Sequence, residues 1–179
     1  MLTPSPVQTT YYRYLTVAQL GMPATTTGWD VDTRIAEDVA SPKAGIPFGR
    51  AVSQGTLHGD RSAVLGTLSG KTFAGITAAD VTLASSLVAE SDTDKYIDGD
   101  NMAVAIRGDW WVIAADAVAA GGPVYFNSST GELGASGISN ATQILGAIWV
   151  TSAPLAVGQL MKTEVGTLAV VRLAGIAAF

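Results

Sequence analysis

The chain has 179 residues, of which only 14% are charged and 48% are apolar, and it carries a net charge of −5 and no cysteine. Those figures exclude disulfide frameworks, thiolate zinc sites and cysteine nucleophiles, and they oppose phosphate binding, because the ten basic residues are scattered singly rather than clustered. A charge content well below the roughly 25% of an average soluble chain predicts a surface of Ala, Thr, Ser and Gly that natural proteins cover by association.

Residues 1–44 differ from the rest. They hold Pro4, Pro6, Pro23 and Pro42, threonine runs at Thr9–Thr10 and Thr25–Thr27, and the aromatic residues Tyr11, Tyr12, Tyr14 and Trp29. Proline fixes its own φ and pushes its predecessor toward extended backbone. The expected structure is an extended N-terminal arm without packed elements. Tyr11, Tyr12, Tyr14 and Trp29 are its candidate partner contacts, since disordered tails are poor in aromatics. The first fifteen residues lack the basic start and apolar core of a signal peptide, so use without Sec export is expected.

From residue 45 onward, short β-patterned runs alternate with Gly-rich turns. Strands are predicted at 48–54, 62–68, 72–76, 102–107, 110–114, 123–127, 144–151, 159–162 and 167–173. The pair 102–107 and 110–114 flanks an expected turn at Gly108-Asp109. Residues 80–90 (DVTLASSLVAE) fit a helix capped by Asp80, and fit a strand nearly as well. Turn signals every eight to twelve residues point to an all-β fold. The fold class read here is a single jelly-roll-like β-sandwich over residues 45–179, with little helix. The most apolar run, residues 168–179, is twelve residues long and contains Arg172, too short for the ~20 a membrane span needs. No membrane and no nucleic-acid partner are expected.

The residues that could carry chemistry each have a plainer reading. The acidic stretch 90–100 (ESDTDKYIDGD) resembles a calcium loop, but Tyr96 and Ala105 fall where oxygen ligands are required. A site built differently from Asp92, Asp94, Asp98 or Asp100 is the alternative to a solvated turn. His58 is the only histidine, and no Gly-x-Ser-x-Gly elbow accompanies it. Gly70-Lys71-Thr72 lacks the upstream glycine of a phosphate loop, because Leu65 stands there. Asn127 and Asn140 head formal glycosylation sequons that read as turns. A carbohydrate hydrolase would need two facing carboxylates, for which Asp109, Asp116 and Glu132 are available without a spacing that singles them out. Trp110 and Trp111 point to opposite faces of a strand. One goes to the core and the other covers an interface or arm, or both are buried between two layers. No cofactor and no enzymatic activity are expected.

Three segments in order carry a family resemblance. The first runs from Gly28 to Gln54, with Thr33-Arg34-Ile35-Ala36-Glu37 and Ile46-Pro47-Phe48-Gly49-Arg50. The second is Phe73-Ala74-Gly75-Ile76-Thr77, followed by Tyr96-Ile97-Asp98-Gly99-Asp100-Asn101-Met102. The third is Gly108-Asp109-Trp110-Trp111-Val112, then Gly121-Gly122-Pro123-Val124-Tyr125-Phe126. This order resembles the cement, or head decoration, proteins of tailed bacteriophages. The resemblance implies a β-rich homo-oligomer, a trimer or alternatively a dimer, on the outer surface of the virion. It would bridge neighbouring major capsid proteins, its partners besides itself, and hold the shell against DNA pressure. A tail or baseplate structural protein is the alternative.

Overall fold

In the computed structural model, residues 20–25, 28–39, 44–66, 70–79, 95–153, 159–161, 164–165 and 167–175 are described. They form β1 (Asp30–Glu37), β2 (Ile46–Pro47), β3 (Ala51–Gln54), β4 (Ser62–Leu65), β5 (Phe73–Thr77), β6 (Lys95–Tyr96), β7 (Asn101–Ala114), β8 (Pro123–Asn127), β9 (Leu133–Gly134), β10 (Ala141–Trp149), β11 (Gln159–Met161), β12 (Glu164–Val165) and β13 (Thr167–Ala174). Among the described residues the only helical piece is the 3-10 turn Gly59–Arg61. The all-β class therefore stands. The helix or strand candidate at 80–90 lies outside the described residues.

The architecture corrects the sandwich. A sandwich stacks two sheets, whereas here one sheet closes on itself through β7. Strands β1, β4, β3, β5 and β7 follow one another, and β7 pairs back to β1, which completes a five-stranded barrel. All its pairings are antiparallel except β1 with β4. From β7 the sheet continues through β13, β10, β8 and β9, and β9 returns to β7 where Leu133 stands beside Ala114. The fourteen residues of β7 make this arrangement possible. Its first half pairs with β1 and β5, its second half with β13 and β9.

Successive peptide groups of a strand address opposite edges. On β7 the Asp100 carbonyl accepts from Ala36 N–H on the β1 side. The carbonyls of Ala103, Asp109 and Trp111 accept from Ala78, Ala24 and Gly21, and Ala115 N–H donates to Leu133. The register against β1 slips by one residue between Ala105 and Arg107, which exchanges the edge that odd and even residues address. One edge of β7 is therefore shared by β1, residues 21–24 and β9, the other by β5 and β13: Arg107 pairs with both Asp30 and Ala174, Trp110 with both Pro23 and Val171, and Ala114 with both Leu133 and Thr167.

Two consequences correct the reading of residues 1–44. First, Asp30–Glu37 is not arm but strand β1, paired to β7 and to β4. Its signal is weak in sequence because Asp30, Val31 and Thr33 are exposed and only Ala36 and Glu37 are fully buried. Second, residues 20–25 add to the edge of β7 of their own chain: Gly21 N–H donates to Trp111 O (2.8 Å), Trp111 N–H to Met22 O (2.9 Å) and Ala24 N–H to Asp109 O (2.7 Å).

Residues 21–24 and β1 thus lie one after the other along the same edge of β7, and between them Trp29 packs tightly on Gly108. A Cβ on Gly108 would lie 2.6 Å from Trp29 Cβ and 2.7 Å from Trp29 Cα. Gly108 also has φ +103°, closed to L side chains. The expected Gly108-Asp109 turn is therefore a point of close backbone approach within one continuous strand.

Buried side chains form two clusters. One gathers Val52, Ala63, Met102 and Val104 from the barrel with Ile46, Phe48 and Tyr96. The Tyr96 hydroxyl donates to Ala78 O (2.8 Å) and accepts from Ala103 N–H (3.2 Å), which ties the β2–β6 pair to the barrel wall. The other is larger and holds Trp110, Val112, Phe126, Leu133, Ile144, Trp149 and Val171. Trp110 is the core partner of the tryptophan pair, and Trp111 is half-buried.

Glu37, at the end of β1, is buried yet fully engaged. It accepts from Thr56 N–H (2.6 Å), Leu57 N–H (2.9 Å), the Ser62 hydroxyl (2.9 Å) and the Thr56 hydroxyl (3.3 Å). Burial pushes its carboxyl up, but the backbone bonds from Leu57 and Thr56 and the two hydroxyls outweigh this and hold it below its usual value. Gly55 is glycine because a Cβ there would collide with Glu37 Oε2 and Ser62 Oγ.

Candidate functional site

The residues weighed for chemistry are placed one by one. His58 is exposed and begins the 3-10 turn, whose loop Glu37 holds. Lys71 Nζ donates to Gly55 O (3.2 Å), so the Gly-Lys-Thr sequence packs against a turn. Asp98 Oδ1 accepts from Asp38 N–H and Asp100 Oδ2 from Ile97 N–H, which makes both carboxylates turn caps. Asp92 and Asp94 lie outside the described residues. Among the described residues, no three His, Cys, Asp or Glu stand close enough to hold a metal ion, and no helix is long and apolar enough to cross a membrane. Asn127 Oδ1 accepts from Ser129 and Thr130 N–H, the turn its sequence predicts. The three carboxylates of the hydrolase alternative are all engaged within the fold. Asp109 pairs with Arg172, Asp116 accepts from Ala135 N–H (2.6 Å), and Glu132 pairs with Arg50 at 3.0 Å.

The surface is more informative. In the second half of β7 and the ends of β13 and β10 the side chains point alternately to core and outward. Trp110 and Val112, Val171 and Leu173, and Ala147 and Trp149 go inward. Outward, register sets Asp109 beside Arg172, Arg172 beside Ile148, and Ile148 beside Pro123, a row crossing four strands. One step along, Arg107 stands beside Ala174, and Gly146 faces Ala174. Gly146 has φ +80° within an interruption of the β8–β10 register, and its neighbour Leu145 stands 87% exposed. Ile148 is 38% exposed.

This face is apolar with a charged pair at its centre. Arg172 Nε and NH2 donate to the two Asp109 oxygens at 2.7 and 2.9 Å. The hydrogen bond and charge of Asp109 raise the pKa of Arg172 further, so the guanidinium stays charged at any working pH. Trp29, packed on Gly108, is 43% exposed and meets the core residue Trp110 edge-on at 6.0 Å between ring centroids. Of the four arm aromatics expected to make contacts, Trp29 alone is described; Tyr11, Tyr12 and Tyr14 lie outside the described residues. Sequence reading missed Leu145 and Ile148. Both lie in a strand that was recognised, but which face of it is outward depends on the interruption at Gly146.

A bidentate, geometrically fixed ion pair surrounded by exposed aliphatic side chains has no evident catalytic use. It suits recognition of another protein surface, where charges are sparse, arginine and aromatics are enriched, and apolar area is covered.

Comparison with known proteins agrees. Residues 7–174 match the family model for phage cement, described as structural cement protein (E217 gp24/Pam3 gp6). No curated protein matches. Among solved structures, a chain from the capsid of Myoviridae phage XM1 shares the fold with a TM-score of 0.60 at 17% identity, over 92% of this chain and 94% of that one. The family match spans nearly the whole sequence: the chain belongs to the structural cement proteins of phages, and its role is that of a capsid cement protein.

Proposed function

We propose that the protein binds the outer surface of the mature phage head, bridges neighbouring major capsid proteins and stabilises the shell against DNA pressure, without catalysing a reaction. The observation that carries this reading is the exposed face of Leu145 and Ile148 on β10, in a sheet whose central strand β7 is bonded along both edges. With its backbone groups occupied, β7 offers partners side chains rather than a free edge, and a wide apolar face on a chain poor in charge calls for a cover. A protein that binds only the expanded shell stabilises that state by mass action. Repetition on a lattice turns weak contacts into strong ones.

A homotrimer, alternatively a homodimer, accounts for the remaining apolar surplus. Tyr11, Tyr12, Tyr14 and Trp29 serve as arm contacts to the capsid. Truncation that tests the arm must stop before Leu20, since residues 20–25 bond to β7 and Asp30–Glu37 is β1. Removing residues 1–19 is expected to leave the melting temperature unchanged and to weaken capsid binding about ten-fold, read by co-sedimentation with expanded shells. Unchanged binding overturns the role of the arm.

Quantitative mass spectrometry of purified particles tests the function itself. Copy numbers near that of the major capsid protein are the expected result. A few copies per particle would favour the tail or baseplate reading, and absence from particles would overturn both.

A further inference from the structure

Beside Gly108 lies an open depression of about 330 Å³, lined by Thr25, Gly28, Arg107, Gly108, Asp109 and Arg172. We infer that this depression receives a carboxylate side chain of the major capsid protein, with Leu145 and Ile148 covering the apolar residues that flank that acid. The inference rests on the cement reading above and names the chemistry of its contact.

Two residues lining the depression, Gly28 and Gly108, are glycines, so part of its wall is bare backbone. Two of the chain's ten basic residues meet there, although the chain as a whole is acidic. They differ in a useful way. Arg172 is held by Asp109 through two bonds, yet its side chain is still 53% exposed. Its orientation is set before a partner arrives, which lowers the ordering cost of binding. Arg107 has a side chain 61% exposed, and its pairing with Asp30 is long, at 3.8 Å, and equally exposed. Such a surface pair contributes little, so Arg107 can exchange it for a better acceptor. A guanidinium presents a planar fork of donors that matches a carboxylate.

The surroundings argue for a protein acid rather than a small anion. Register puts Ile148 directly beside Arg172 and Ala174 beside Arg107, with Gly146 and the exposed Leu145 next in the row. A free anion gains nothing from this apolar band. A capsid segment that carries an acid among aliphatic residues covers the band and meets the arginines together. The central ion pair then sets register and specificity while the aliphatic contacts supply burial.

The test is co-sedimentation of purified protein with expanded, DNA-free shells that lack it, at matched ionic strength. The variants are Arg107→Glu, Leu145→Ser and, as a control on the far loop, Leu57→Ser. All three residues are exposed and none supports the core, so folding is expected to persist and is checked by thermal unfolding. Arg107→Glu is expected to weaken binding about ten-fold, the loss of one charge-assisted contact with repulsion added, and Leu145→Ser by several-fold; Leu57→Ser is expected to change nothing. If wild type binds and Arg107→Glu weakens it by less than three-fold, this inference falls and the cement reading stands. If wild type does not bind the shells, the cement reading falls and takes the inference with it. If Arg107→Glu instead changes the oligomer mass of the free protein by light scattering while shell binding is kept, the face joins copies of this chain and the inference is overturned.

Discussion

Replacing Gly108 with alanine is expected to lower the melting temperature by roughly 6 to 12 °C, measured by calorimetry or circular dichroism. Two effects add. The backbone at φ +103° is strained for any L side chain, at about 1 to 3 kcal/mol. The new methyl would also sit 2.6 to 2.7 Å from Trp29 Cβ and Cα. One of those atoms is backbone and cannot rotate away, so the overpacking contributes a further ~1 to 3 kcal/mol. About 3 kcal/mol in total, at roughly 2 to 4 °C per kcal/mol for a domain of this size, gives the stated range. Gly121 separates the two effects. It has φ +79° with nothing within 4 Å of a Cβ, so Gly121→Ala shows the strain alone and is expected to cost about 1 kcal/mol. If both substitutions shift the melting temperature equally, residues 28–29 lift from β7 without cost and the packing of Trp29 on Gly108 is not a fixed part of the fold.

Replacing Glu37 with glutamine is expected to cost about 3 kcal/mol at pH 7. Glutamine keeps one acceptor but turns an amide NH2 toward donors that the carboxylate satisfies, among Thr56 N–H, Leu57 N–H and Ser62 Oγ–H. Bonds to a charged acceptor are worth ~1.5 to 3 kcal/mol each, and a buried donor left without a partner adds its desolvation. The pH dependence follows from the direction of the shift. The folded carboxyl titrates below its usual value of 4.5, so below neutrality the unfolded chain takes up the proton first. The stabilisation from Glu37 is complete above that usual value and is lost as pH falls through the lower folded value. The gap in melting temperature between wild type and Glu37→Gln should therefore narrow in acid. A gap that stays constant from pH 7 to pH 3 would mean that folding leaves the titration of Glu37 unshifted, and the bonds to its carboxylate would not favour its charged form.

The strands of the second half were legible. The run 123–127 coincides with β8, and 167–173 falls within Thr167–Ala174. Their β-branched and aromatic residues alternate against turns rich in glycine, and that is a local property. The β-rich class, the lack of Cys chemistry and the sparse charge followed from composition, which is also local. Strand β1 was missed for the converse reason: its inner face is short and its outer face charged, so only its partners on both edges make it a strand. The face around Leu145 was missed because one glycine at positive φ decides which residues of β10 turn outward.

Composition and local pattern thus determined that this chain is a β-protein poor in charge and without cysteine. Closure of the sheet, the packing of Trp29 on Gly108 and the Arg172–Asp109 pair were decided only by the tertiary structure. Gly108 reads locally as a turn, and what forbids its side chain is Trp29, far back in the chain. Asp109 and Arg172 lie 63 residues apart and meet only through the register of β7 with β13. Pairing along a strand depends on which distant segment completes each edge, and no window of neighbouring residues carries that information.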